Sequence, residues 1–104
     1  VVTNYNLMGP VKAALEASVR YLASELGPKH IRVNGLSPGP IKTRAASGLG
    51  DFDALMLKAA ESAPLHQLVT IDPVGEAAAF LVSDRARQIT GQIIYIDNGY
   101  NVRG

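Results

Sequence analysis

The sequence predicts an α/β fold whose parallel sheet is incomplete within this chain. Three observations lead there. The segments run in the order helix, strand, loop with helix, helix, strand, which is the grammar of an α/β layer. Each short apolar strand is preceded or followed by a helix long enough for a right-handed crossover. Two strands alone leave sheet edges unpaired and faces uncovered, so the 104 residues are expected to be the C-terminal part of a longer chain.

Residues 8–26 make the clearest helix. Met8, Val11, Leu15, Leu22 and Leu26 recur at three- and four-residue intervals, with Val19 and Ala23 on the same broad stripe. Pro10 falls in the first turn, where no amide hydrogen is required. Gly27-Pro28 ends the helix: glycine is expected in a left-handed cap, and proline blocks continuation. Ile31 to Leu36, IRVNGL, follows as a short strand with the apolar content of a covered sheet.

The stretch SPGPIKTRAASG is rich in proline and glycine and reads as a loop. Residues 52–61, FDALMLKAAE, form a second helix with Asp51 as its cap. Its polar and glycine-rich flanks mark it as a candidate lid rather than a core helix. Asp72 is expected to cap a third helix with Pro73 at its first position. Val74, Ala77, Ala78 and Leu81 give that helix a small, close-packing face, and it runs to about Ser83. Gln92 to Ile96, QIIYI, is the last strand, followed by the turn Asp97-Asn98-Gly99. No internal repeat or low-complexity tract is present.

Composition narrows the function classes. A hydrophobic content of 47% with 18% charged residues describes an ordered domain with a core of its own. The net charge of +1 supplies no electrostatic reason to expect nucleic acid or an anionic membrane as partner. No apolar run is long enough for a membrane-spanning helix. The absence of cysteine excludes disulfides and thiolate metal sites in this chain, and it fits a cytoplasmic location. His30, in a Gly-Pro-Lys-His turn, and His66 have no acidic or histidine company at ligand spacing, so no metal is expected.

The segment YNLMGPVK sets Tyr5 and Lys12 seven positions apart at the start of the first helix. If both are helical, they lie almost two turns apart and can face one cleft. A locally bonded tyrosine and a solvated lysine fit the same geometry, so spacing alone leaves both readings open.

Three stretches together carry a family pattern: NYNLMGPVKAALEASVRYLA, RVNGLSPGPIKT and ITGQIIYIDNGY. They resemble the short-chain dehydrogenase/reductase superfamily. More closely, they resemble its NADH-dependent enoyl-acyl-carrier-protein reductases, which space the active tyrosine and lysine seven apart rather than four. The resemblance spans essentially all 104 residues. It implies the C-terminal part of a Rossmann-like doubly wound parallel sheet, with 1–104 as part of one reductase domain and 40–65 as its substrate-binding loop and helix. The glycine-rich phosphate loop and a second active-site tyrosine would lie upstream, and this chain alone is expected to be inactive.

The resemblance also assigns roles. Tyr5 would donate a hydrogen bond to the thioester carbonyl, and Lys12 would hold the nicotinamide ribose. Gly39, Pro40 and Ile41 would line the nicotinamide with main-chain groups, while Thr43 would approach the pyrophosphate. Ala45, Ala46 and Phe52 would border the acyl pocket; Phe52 serves equally as an anchor of the short helix. Met8 either lines that pocket or belongs to the helical core stripe. Asn34 is expected to bond at a strand end rather than do chemistry. Asp97-Asn98-Gly99 departs from the family's more usual Asp-Gly-Gly, and asparagine tolerates the left-handed backbone such a turn needs.

The implied reaction is reduction of a trans-2-enoyl-acyl-carrier-protein thioester by NADH in a cytoplasmic homotetramer. The first helix and the last strand would contribute to subunit contacts. Two other readings stand beside it: another short-chain carbonyl reductase, or a non-catalytic self-associating piece.

Overall fold

In a computed structural model, residues 6–41 and 52–103 are described, Phe52 by its backbone alone. The helices are α1 (Met8–Leu26), α2 (Phe52–Ser62) and α3 (Ile71–Val82), and the strands are β1 (Gly35–Pro38) and β2 (Ile93–Ile96). Single 3₁₀ turns occupy Gly27–Lys29, Asp84–Ala86 and Tyr100–Val102. The chain divides into two compact units, Val1–Gly35 with Phe80–Ile94, and Leu36–Ala79 with Tyr95–Gly104.

β1 and β2 pair in a two-stranded sheet. The Gly35 N–H donates to the Gln92 carbonyl at 2.8 Å, and the Gly39 N–H to that of Ile96 at 3.0 Å. Donor and acceptor advance together along both strands, so the pair is parallel. Parallel strands need a crossover, and α2 and α3 lie in the connection between these two. The α/β class expected from the sequence is therefore observed, with an open sheet.

In the first unit, α1 buries Val19 and Ala23. A β-carbon on Gly35 would meet the Ile93 Cδ1 at 2.7 Å and the Val19 Cγ2 at 3.5 Å. The backbone of residue 35 thus lies close between helix and strand, and a side chain there would require the tip of Ile93 to move. Met8, Val11, Leu15 and Leu22, from the same apolar stripe, are exposed.

Two sequence expectations change here. The left-handed residue after α1 is His30, with φ 58°, while Gly27 stays right-handed with φ −51°. The chain tightens through Gly27–Lys29 instead of reversing at once, and the His30 N–H bonds to the Gly27 carbonyl at 2.8 Å. Pro28 fits the start of that turn, where its missing N–H costs nothing.

The first strand also lies later than Ile31–Leu36. Val33 and Asn34 spend their bonds on the turn before β2: Val33 N–H to Thr90 Oγ1, and Gly91 N–H to the Val33 carbonyl. Ladder pairing begins only at Gly35. Arg32 adds a clamp, donating to the Leu81 carbonyl at 2.7 Å near the end of α3. That carbonyl lies in the last turn of α3, where helix carbonyls lack intrahelical partners.

In the second unit, Ala59 of α2, together with Ala63 and Val69 beyond it, is buried. α3 starts at Ile71, so Asp72 sits in its first turn instead of capping it, and Pro73 follows. An acidic side chain there complements the helix dipole, and first-turn N–H groups need no intrahelical acceptor.

Candidate active site

β1 delivers the chain to Gly39, Pro40 and Ile41, all partly buried, at the carboxyl end of a parallel strand. Ligands of open α/β sheets bind at such ends. Gly39 is fixed from two sides. Its N–H is bonded to the Ile96 carbonyl at 3.0 Å. A β-carbon on it would stand 3.2 Å from both Cα and Cβ of Asp97 and 3.4 Å from Val69 Cγ2. A side chain at residue 39 would require the loop or Asp97 to shift by a few tenths of an ångström.

That seat is the turn after β2. Asp97 is buried, and its carboxylate accepts from the Gly99 N–H at 3.0 Å and the Asn101 N–H at 2.7 Å. Asn98 and Gly99 take left-handed backbone angles, φ 55° and φ 81°. The asparagine at residue 98 therefore carries the conformation the turn requires, as expected. The Asn98 side-chain amide donates to the Gln67 carbonyl at 2.8 Å, and the Leu65 N–H donates to the Asn98 carbonyl at 3.3 Å. A β-carbon on Gly99 would stand 2.9 Å from Pro64 Cγ.

The turn is legible in the sequence, but its central place in the fold is not. Asp followed two residues later by glycine is an Asx-turn signature, and the aspartate's bond to the Gly99 N–H realises it. The burial of Asp97 and its contact with Gly39 depend on residues far apart in the chain.

Met8 and Lys12 lie one helical turn apart on α1, in the first unit, and both are exposed. Gly39, Pro40 and Ile41 belong to the second. Tyr5, Thr43, Ala45 and Ala46 lie outside the described residues, and Phe52 opens α2. Asn34 bonds as expected: its amide donates to the Ile89 carbonyl at 2.9 Å, and its oxygen accepts the Gln92 N–H at 3.1 Å. His30 and His66 are exposed, and among the described residues no cluster of three metal-ligating side chains exists. No helix among them is long and apolar enough to cross a membrane.

Residues 1–101 match the family model described as enoyl-(acyl carrier protein) reductase. The chain is 56% identical, over its full length, to the NADH-named enoyl-[acyl-carrier-protein] reductase FabI of Synechocystis sp.. It is 52% identical to the corresponding protein of Bacillus cereus. The chain spans about 40% of the length of these curated relatives. The crystal structure of the Bacillus cereus reductase with NADP+ and indole naphthyridinone superposes with a TM-score of 0.96 at 52% identity, covering 100% of this chain and 40% of that one. The Aquifex aeolicus enzyme superposes at 0.94 with 46% identity and the same coverage.

Proposed function

From the premise that this chain belongs to the enoyl-(acyl carrier protein) reductase family, we propose that the whole protein reduces trans-2-enoyl-acyl-carrier-protein thioesters to saturated thioesters with NADH. The observation that carries this reading is the match of residues 1–101 to the family model. The seating of Gly39 supports it, because that seating holds the Gly39–Ile41 main chain at the carboxyl end of the strands. The Ile41 peptide is the one that offers both a donor and an acceptor to the carboxamide of a nicotinamide, because Pro40 has no N–H and the Gly39 N–H is bonded to Ile96.

NADH, when bound, supplies the hydride to the β-carbon. Negative charge then develops on the thioester carbonyl oxygen, and a proton added at the α-carbon discharges it to give the saturated thioester and NAD+. Tyr5 is assigned the hydrogen bond to that oxygen, a bond that strengthens as the charge grows. Lys12 holds the ribose hydroxyls and keeps a positive field beside Tyr5. Gly39, Pro40 and Ile41 orient the nicotinamide, and Thr43 faces the pyrophosphate. Residues 40–65 form the substrate segment, with Ala45, Ala46, Phe52 and Met8 bordering the acyl chain.

The protein is placed in the cytoplasm as a homotetramer that receives its substrate from acyl-carrier protein. The test is a crotonyl-thioester assay with NADH on the intact protein. Thioester-dependent loss of NADH absorbance is expected. Its absence overturns the reading.

A further inference from the structure

The geometry points to a positioning role for the turn Asp97–Asn98–Gly99: from one seat it sets both the Gly39–Ile41 main chain and the exit of α2, with the Asn98 amide as clasp. This deepens the function proposed above and rests on it for its link to substrate.

Both ends of the proposed substrate segment meet this turn. At the entry, the Gly39 N–H is bonded to the Ile96 carbonyl, and a β-carbon on Gly39 would stand 3.2 Å from Asp97 Cα. At the exit, Leu65 and Gln67 are bonded to Asn98, by its main-chain carbonyl and its side-chain amide. Pro64 packs on Gly99, and Ala63, one residue earlier, is among the most buried side chains, at 2% exposure. The turn itself is held from within by the two Asp97 carboxylate bonds and by the Tyr100 N–H on the Asp97 carbonyl at 3.0 Å. A rigid turn gripping both ends fixes where α2 stands relative to the Gly39–Ile41 main chain. That relation sets how an acyl chain bordered by α2 lies against a nicotinamide, and small misplacements there weaken productive binding.

Asn98 separates the clasp from the turn. Its φ of 55° suits glycine as well as asparagine, so Asn98→Gly allows the same backbone path while removing the amide bond to Gln67 and adding backbone freedom, which Asn98→Asp does not add. Asn98→Asp also tolerates the left-handed angle, but its carboxylate cannot donate to a carbonyl.

The experiment uses the full-length protein, comparing wild type with both variants by hydrogen exchange and by crotonyl-thioester kinetics. Exchange in residues 60–67 should accelerate about fivefold, the scale of one neutral hydrogen bond, while α1 is unchanged. KM for the thioester should rise by about the same factor, with kcat and NADH affinity within about twofold. Unchanged exchange in both variants overturns the clasp. Faster exchange with unchanged KM overturns its role toward substrate, as do equal losses of kcat and NADH affinity. A wild type that does not turn over the thioester sinks the proposed function instead, and the exchange comparison still decides the clasp.

Discussion

Gly39 lies so close to Asp97 that a β-carbon on residue 39 would stand 3.2 Å from both Cα and Cβ of the aspartate. The aspartate is held in place by burial and by its carboxylate's bonds to two main-chain N–H groups, so a shift there works against those contacts. The proposed nicotinamide loop and the turn after β2 therefore behave as one packed unit.

Gly39→Ala tests that packing. The added methyl should displace the loop, costing about 1–3 kcal/mol of stability as overpacking does. NADH affinity should fall with it. Denaturant midpoints and a fluorescence titration with NADH check both, and an unchanged midpoint would show that the contact relaxes freely.

Asp97→Ala leaves the Gly99 and Asn101 N–H groups without their acceptor. A loss of about 2–4 kcal/mol is expected, since hydrogen bonds to charged groups are individually worth about 1.5–3 kcal/mol. Asp97→Asn keeps one acceptor oxygen and should lose less. Equal stabilities for the two variants in urea would contradict this ordering.

Arg32 belongs to a different part of the fold. Its guanidinium donates to the Leu81 carbonyl at 2.7 Å, beside longer contacts to Ile89 and Ser83 at 3.4 and 3.5 Å. Arg32→Met should cost about 1.5–3 kcal/mol, the scale of a charge-assisted bond. Thioester KM and NADH affinity should stay unchanged, because no proposed site residue is bonded to this side chain. A shift in either constant would extend the site to Arg32.

Lys12 and Tyr5 should separate kinetically. Lys12→Ala removes an exposed side chain, so stability should move by no more than about 0.5 kcal/mol. NADH binding and turnover should both weaken; unchanged rates reject its assignment. Tyr5→Phe should spare NADH affinity and lower kcat by about 10²-fold or more, as loss of an oxyanion donor does. Single-turnover rates with crotonyl thioester distinguish the two.

Local chemistry made much of the framework legible. The apolar stripe from Met8 to Leu26 marked α1 at its observed bounds, because three- and four-residue spacing is a property of the segment itself. α2 extends one residue past its expected end, and β2 starts one residue later than read. The φ of Asn98 followed from the tolerance of its side chain, since a turn's backbone is set by its own residues. The spacing of Tyr5 and Lys12, together with SPGPIKT and ITGQIIYIDNG, pointed to the family that residues 1–101 match.

Other features required the chain to meet itself. Residues Ile31 to Leu36 have strand-like composition, yet the ladder starts at Gly35 because Val33 and Asn34 bond to the turn before β2. Nothing near Gly39 in sequence says that its missing side chain makes room for Asp97. Nothing near Asn98 names Gln67 as its acceptor. By itself, the sequence determined the helices to within a residue or two, the left-handed turn at Asn98 and the family, while the turn after α1 fell at His30 rather than Gly27. The tertiary structure alone decided the strand register and the seat of the Gly39 loop. Both depend on contacts between residues distant in the chain, and local periodicity does not encode them.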